Sequence, residues 1–233
     1  YAIGEGQRIV GTHDFAASPP EVDQVPKVGS FFDVSIEKIV ELKPDLVSIW
    51  FGSSVPALEN AGQKVFYLSE PEDIDGISER MRLWGKITGS VQAGEDAAKR
   101  FESRIEELRG RIASLEQGPR IFHDTSAGFW TTGPDTLVGQ VYDLLKAQNI
   151  AHDVSGYAQL SREVIVERDP ELIITAYPDL QQAYYDDPAL RDVSAVREKR
   201  IETIDPDIIS VAGPRFADAI EQLARLIYPD LLQ

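Results

Sequence analysis

Two glutamates, Glu37 and Glu163, sit at matching points of a fifteen-residue pattern that the chain carries twice, 126 positions apart. The first copy, S-I-E-K-I-V-E-L-K-P-D-L-V-S-I, runs from Ser35 to Ile49, and the second, S-R-E-V-I-V-E-R-D-P-E-L-I-I-T, from Ser161 to Thr175. Seven positions are identical, and Asp45/Glu171 and Val47/Ile173 are close substitutes. Each copy reads as a Ser cap, a short helix, a Pro that stops it, an acidic residue and an apolar strand. A carboxylate on the first turn of a helix can satisfy its own helix N-terminus. It can also meet a partner's arginine through charge-assisted hydrogen bonds. Two matched glutamates suit a symmetric partner that holds the molecule at two equivalent points. A repeat at half the chain length implies two similar lobes and not a solenoid, whose periods are about 20–50 residues.

Rings in loops are the second set of residues able to bind something. His13 and Phe15 follow the first predicted strand, Phe31 and Phe32 precede the first copy, and Trp50 and Phe51 end its strand. The C-terminal half offers Phe129, Trp130, Tyr157 and Tyr177. Ligands of open α/β sheets gather at the carboxyl ends of the strands. Rings there can cap a core, and they can also grip a large flat or apolar ligand by stacking and burial. Catalysis has little to build on. The chain has no G-x-S-x-G, H-E-x-x-H, P-loop or G-x-G-x-x-G motif. Its three histidines, His13, His123 and His152, do not stand at metal-ligand spacings, and His13 beside Asp14 reads as a ligand, a base or an ordinary loop residue. No catalytic residue and no metal ligand is assigned.

The elements that position these groups alternate. Strands are predicted at Arg8–Gly11, Lys27–Gly29, Leu46–Phe51, Lys64–Tyr67, Arg120–His123, the end of the second copy, and Arg200–Ile204. The continuous apolar run at 46–51 predicts a strand buried on both faces. Helices are predicted at Val55–Ala61, Asp73–Thr88, Leu137–Gln148 and Arg215–Tyr228, with loops at 124–135, 151–159 and 205–214. A long helix is predicted from a Ser90 cap to the Gly118-Pro119 stop, with Phe101, Ile105, Leu108, Ile112 and Leu115 on one face. The fold class is therefore α/β: two Rossmann-like lobes with mostly parallel sheets, 1–89 and 119–233, joined by the helix 90–118. The 233 residues suffice for a real core. Absence of cysteine excludes disulfides, Cys-bound zinc and iron–sulfur clusters. A net charge of −16 disfavours nucleic acid and anionic membrane surfaces and suits a basic docking partner. No apolar run approaches the roughly 18–20 residues that span a bilayer. Tyr1 opens without a signal peptide, which fits a cytosolic protein or the mature part of an exported one.

Together these segments resemble the substrate-binding proteins of ABC importers that carry cobalamin, ferric siderophores and haem. The resemblance rests on V-G-T-H-D-F-A-A-S-P-P-E at 10–21, P-K-V-G-S-F-F-D-V-S-I-E-K-I-V-E-L-K-P-D-L-V at 26–47, W-T-T-G-P-D-T-L at 130–137, L-S-R-E-V-I-V-E-R-D-P-E-L-I at 160–173 and A-G-P-R at 212–215. It implies two α/β lobes joined by one long stiff helix, an extracytoplasmic place as a periplasmic or lipid-anchored protein, no enzymatic activity, and a monomer that docks on a permease dimer. Within the family the likeness is greatest to the cobalamin binders. Their corrinoid-contacting aromatics fall on Phe15, Phe31, Trp50 and Tyr157, with a polar contact at Asp207, and Trp130, Tyr177 and Arg215 belong to the same loops. The family's permease-docking glutamates fall on Glu37 and Glu163. Phe15 replaces a Tyr, and Phe31 and Tyr157 replace Trp, so a siderophore or haem stays open beside a corrinoid as ligand. A two-lobed tetrapyrrole-handling enzyme or chaperone is the alternative of another class. The family opens with a strand and helix before G-E-G-Q-R, of which only a tail, Tyr1–Gly4, is expected here.

Overall fold

The computed structural model describes residues 1–30, 32–50 and 52–231. The chain forms two compact units, Tyr1–Glu70 with Leu83–Gly94, and Pro71–Arg82 with Glu95–Gln233.

In the first unit the first repeat copy folds as helix α1 (Ile36–Leu42) and strand β1 (Val47–Ile49). Ser35 Oγ accepts the Lys38 N–H at 3.4 Å, and Ile39 is buried beneath the helix. Lys43 then turns left-handed (φ 50°), and Pro44, with no N–H to donate, cannot continue the helix. Helix α2 (Val55–Asn60) crosses over to strand β2 (Val65–Tyr67), which pairs with β1 in parallel, Val47 opposite Val65 and Ile49 opposite Tyr67. This sheet has two strands among the described residues, and β1 is half-buried at Val47 and Ile49 and exposed at Ser48. The strand predicted to be buried on both faces is thus corrected: alternation turns Val47 and Ile49 to a partly covered face and the polar Ser48 to solvent.

The predicted strand at Arg8–Gly11 is also replaced. Gly6–Arg8 is a single 3-10 turn, followed by an isolated parallel bridge between Thr12 and Lys27. Thr12 donates its N–H to Pro26 O, and Val28 donates to Thr12 O. Pro26 lacks an N–H and Gly29 takes φ 109°, so the ladder stops after one rung.

Helices α3 (Ile74–Thr88) and α4 (Val91–Arg111) contribute residues to both units. Their turn is tight. A Cβ on Gly85 would lie 2.9 Å from Gly94 Cα, so the helices cross there on bare backbone. Further along, the Arg82 guanidinium grips Glu95 at 2.8 Å and Glu102 at 2.6 Å. Helix α4 ends at Arg111, short of the predicted Gly118 stop. The carbonyls of Ala113 and Leu115 are taken by the Lys146 ammonium at 2.9 and 2.5 Å, and the chain leaves the helix through shorter backbone turns.

The second unit continues with β3 (Arg120–Asp124), β4 (Trp130–Thr132), α5 (Leu137–Leu144), β5 (Gln148–Asn149) and β6 (Tyr157–Gln159). The second repeat copy supplies α6 (Arg162–Arg168) and β7 (Leu172–Thr175). Then come α7 (Pro178–Asp186), α8 (Ser194–Arg197), β8 (Ile201–Thr203), α9 (Pro206–Ile209) and α10 (Phe216–Ile227). A parallel sheet of order β5-β3-β7-β8 forms the centre, with every residue of β7 buried. Alternation divides its side chains: Phe122, Ile173 and Ile201 pack with Ile165, Tyr184, Leu190 and Val193 on one face. Beyond the sheet, Phe216, Ile220, Leu223 and Ile227 bury one stripe of α10. Strands β4 and β6 pair antiparallel inside the two segments predicted as loops. Three residues each, they are too short to show an alternation.

The two repeat copies match in detail. Ser161 Oγ accepts the Val164 N–H at 3.4 Å, Ile165 is buried, Asp169 turns left-handed (φ 41°), and Pro170 follows. The second copy adds a network. Asp169 accepts the Ser194 N–H at 2.7 Å and the Ser194 hydroxyl at 2.9 Å, while Arg120 donates to Asp169 O at 2.8 Å and pairs with Glu171. Asp169→Ala should therefore cost about 1–3 kcal/mol in urea unfolding, since two donors lose their acceptor. Asp169→Asn, which keeps an acceptor and tolerates the left-handed turn, should cost less than half as much. Equal losses would show that neither the acceptor nor the turn, both of which Asn keeps, carries the effect.

Candidate functional site

Parallel pairing sends β1 and β2 out of the sheet at the same end, where Tyr67 pairs in register with Ile49 and Trp50 follows directly; Trp50 and Tyr67 are both exposed. Tyr67 is not among the rings expected from sequence, where it reads as an ordinary strand end. Its signal is nonetheless there, since K-V-F-Y-L ends a second strand parallel to the one that ends in Trp50. Phe15 is 68% exposed and Phe32 79% exposed, values far above those of a core cap. The loop that carries Phe15 is held by backbone bonds from Asp14 N to Gly29 O and from Ala16 N to His13 O. The Lys27 ammonium donates into the same loop, to Ala16 O at 2.9 Å and Val22 O at 3.5 Å. Burial pushes the His13 imidazole below its ordinary pKa, and the neighbouring Lys27 charge adds to this, against a smaller opposite effect of Asp14. Phe31 and Phe51 lie outside the described residues.

In the second unit Trp130 opens β4 and Tyr157 opens β6. The register sets Trp130 opposite Gln159 and Thr132 opposite Tyr157, which makes Trp130 and Tyr157 diagonal neighbours on one face of the ladder. Trp130 is 42% and Tyr157 63% exposed. Tyr177, also exposed, follows β7 and donates its N–H to Thr175 Oγ1 at 3.2 Å as α7 begins. Asp207 lies on the backbone of α9 just beyond β8, at the same edge; its side chain is outside what is described. Arg215 is exposed immediately before α10. The structure thus brings Trp130 and Tyr157 together, puts Trp50 and Tyr67 at the same end of one strand pair, and leaves Phe15, Tyr177 and Arg215 on separate loops.

One buried group at this edge is not anticipated from sequence. Asp124 ends β3, is 1% exposed, and accepts the Tyr184 hydroxyl at 2.6 Å through one oxygen, while its Oδ1 has no partner. Burial raises its pKa to about 6, against the hydrogen bonds from Tyr184 and the Ser126 backbone. The neighbouring His123 meets the Tyr142 hydroxyl at 2.7 Å, and burial lowers its pKa to about 4. The only trace in the sequence is two polar residues closing an apolar strand, I-F-H-D.

Glu37 and Glu163 are both exposed on the first turns of α1 and α6. A hydrogen bond from the Ser161 hydroxyl, helped by a backbone N–H, holds the Glu163 carboxyl below its ordinary range, so it is ionised at neutral pH. Arg162 beside it is committed to Asp187 at 2.6 Å and lies over the Phe129 ring at 5.1 Å. The exposed identical residues of the two copies share one helix face, Glu37 with Val40 and Glu41, and Glu163 with Val166 and Glu167, at spacings of three and four.

Residues 1–208 match the family described as periplasmic binding protein. The chain belongs to that family. It is 28% identical over 240 residues to YvrC of Bacillus subtilis, an uncharacterized ABC transporter substrate-binding lipoprotein, covering 99% of this chain and 76% of the relative. A solved structure of the periplasmic vitamin B12 binding protein BtuF of Vibrio cholerae matches with a TM-score of 0.85 at 25% identity, covering 100% of this chain and 93% of that one. The periplasmic heme-binding protein RhuT of Roseiflexus sp. RS-1 in apo form matches in fold with a TM-score of 0.86 at 24% identity, covering 100% and 94% of the two chains. The fold class expected from the sequence, mixed α/β with mostly parallel sheets, is the family's, and the family is extracytoplasmic. No helix among the described residues is long and apolar enough to cross a membrane.

The buried pair makes opposite contributions to stability. Asp124, raised from 3.8 to about 6, adds stability below pH 4 that is lost as pH rises through 6. His123, lowered from 6.5 to about 4, adds stability above pH 6.5 that is lost as pH falls through 4. Asp124→Asn should therefore gain about 1–3 kcal/mol on the parent between pH 4 and pH 7.5. Urea unfolding at the two pH values measures this, and a difference that does not change with pH would refute it.

Proposed function

We propose that the chain is the extracytoplasmic binding component of an ABC importer and that its ligand is a corrinoid such as cobalamin. One observation carries the reading: large rings stand exposed at the carboxyl ends of parallel strands in both units, where a folded protein has no reason of its own to leave them in water. Stacking and area burial on Phe15, Phe31, Trp50, Trp130, Tyr157 and Tyr177 suit a broad ring system with apolar faces. Asp207 and Arg215 would orient its polar edge. Likeness over the whole chain to a vitamin B12 binding protein supports the choice of ligand, and likeness to a substrate-binding lipoprotein of Bacillus subtilis supports the importer. Arg215 is the one basic residue in this set, which weighs against an anionic catechol siderophore. The exposed phenols of Tyr157 and Tyr177 make haem the second reading, because haem iron takes an axial Tyr or His.

The discriminating experiment is an absorbance spectrum after incubation with cyanocobalamin, haemin or a ferric siderophore and desalting. Retained cyanocobalamin colour supports the first reading; retained haemin or siderophore colour with none from cyanocobalamin replaces it, and turnover of the bound pigment would move the protein to the enzyme class. Fully burying one aromatic side chain is worth roughly 1.5–3 kcal/mol. Trp50→Ala or Tyr157→Ala should then weaken cyanocobalamin binding by about one to two decades in calorimetry; unchanged affinity in both would move the site elsewhere.

Glu37 and Glu163 are proposed to dock on the permease dimer, each meeting an arginine of one half. Support comes from their exposure and from the Glu-Val-Glu face that the two copies share. The double variant Glu37→Ala, Glu163→Ala should leave ligand affinity and melting temperature nearly unchanged while reconstituted uptake falls at least tenfold. Uptake at the parental rate, with a lowered melting temperature, would make both residues helix caps and nothing more.

A further inference from the structure

Tyr157 is 63% exposed, so its ring lies largely outside the core, and the residue before it is a glycine. Gly156 is left-handed (φ 65°), and a Cβ built on it would meet nothing within 4 Å. Steric contact therefore does not fix this backbone, and glycine is the residue with most freedom to leave such a conformation. Hydrogen bonds fix it. Gly156 N–H donates to Asp135 Oδ1 at 2.8 Å, and Gly156 O accepts the Gly133 N–H at 2.8 Å. Asp135 Oδ2 accepts the Ser155 hydroxyl at 2.7 Å, so one carboxylate spans both residues ahead of Tyr157.

The support behind Asp135 is rigid. Thr136 caps α5, accepting the Gly139 N–H at 3.0 Å and donating to Gly133 O at 2.8 Å. Asn149 donates to Thr132 O at 2.8 Å. A Cβ on Gly133 would lie 2.1 Å from Val154 O, so the two loops touch backbone to backbone. The segment T-T-G-P-D-T from Thr131 to Thr136 is thus a platform from which the exposed Asp135 carboxylate reaches the loop before Tyr157. The Ser155 hydroxyl, and then the Gly156 N–H, hold that carboxyl below its ordinary range, which keeps it an acceptor in mild acid.

We propose that Asp135 is a positioning residue: its carboxylate fixes Gly156 in the left-handed conformation and so sets the direction in which Tyr157 is presented to ligand. The ligand half of this rests on the assignment of Tyr157 under the proposed function; the backbone half does not. The test has an arm for each. In the first, amide exchange of Gly156 is followed by NMR without ligand. Asp135→Ala should speed it by about tenfold or more, and Asp135→Asn, which keeps a carbonyl acceptor, should restore most of the protection. Unchanged exchange in Asp135→Ala would overturn the proposal. In the second, the cyanocobalamin dissociation constant is measured in a double-mutant cycle. Asp135→Ala should weaken binding by about tenfold in the parent and by less than twofold in the Tyr157→Ala background. Equal losses in both backgrounds would show a general structural role and overturn it. If the parent holds haemin and not cyanocobalamin, the corrinoid reading fails alone, and the cycle run with haemin decides the positioning role.

Discussion

Parallel strand pairing is the constraint on which this molecule's chemistry depends. Antiparallel strands deliver loops to alternate edges of a sheet, whereas parallel ones collect all their carboxyl ends at one. Here β1 and β2 end in register at Ile49 and Tyr67, and β3, β7 and β8 at Asp124, Thr175 and Thr203. Whatever follows those strands inherits the edge. The same constraint makes helices obligatory as crossovers, which is why each sheet is interleaved with them and why a helix start lies next to each strand of the repeat. Polarity, more than any individual contact, explains why residues far apart in sequence form one surface within each unit.

Much of this was legible in the residues because the repeat writes it twice. In each copy the serine (Ser35, Ser161) caps the helix, the isoleucine (Ile39, Ile165) anchors it in the core, and the proline (Pro44, Pro170) stops it. Helices α3 and α10 were recoverable from their 3.6-residue stripes, and β7 from its unbroken apolar run. Two kinds of feature were not. Short pairings such as β4 with β6 depend on a partner about thirty residues away, and three residues give no period to read. The end of α4 depends on Lys146, a tertiary contact that captures carbonyls which local sequence leaves available for more helix. Of the site, the aromatic loops were legible from ring content alone, while the burial of Asp124 was not, because it follows from what α7 lays over it through Tyr184.

The identical positions of the repeat divide into buried or capping residues and exposed ones. Among them, Ile39 and Ile165 are buried and Ser35 and Ser161 cap their helices, whereas Glu37, Val40 and Glu41 are exposed, as are Glu163, Val166 and Glu167. A glutamate three residues after a Ser cap would close a reciprocal capping box. These stand only two after it, yet the Glu163 carboxyl still takes a hydrogen bond from the Ser161 hydroxyl, so the second copy gives its glutamate a local contact at the helix start as well. The neighbouring first-turn positions differ between the copies, Ile36 against Arg162 and Lys38 against Val164, while the glutamates recur, as the proposed docking would require.

Exposed rings raise a physical problem of their own. A buried ring is aimed by its neighbours, but a ring left in water for a ligand must be aimed through its backbone. On the ligand role proposed for Phe15 and Tyr157, each unit supplies a charged side chain that bonds to loop backbone beside the ring: Lys27 donates to the carbonyl after Phe15, and Asp135 accepts the N–H before Tyr157. Neither charge needs to touch ligand to matter. Holding the loop in advance removes ordering entropy that binding would otherwise oppose, roughly 1–2 kcal/mol for each residue fixed. A surface that looks unfinished, with its largest apolar side chains outside any core, is therefore a surface whose backbone has already been set.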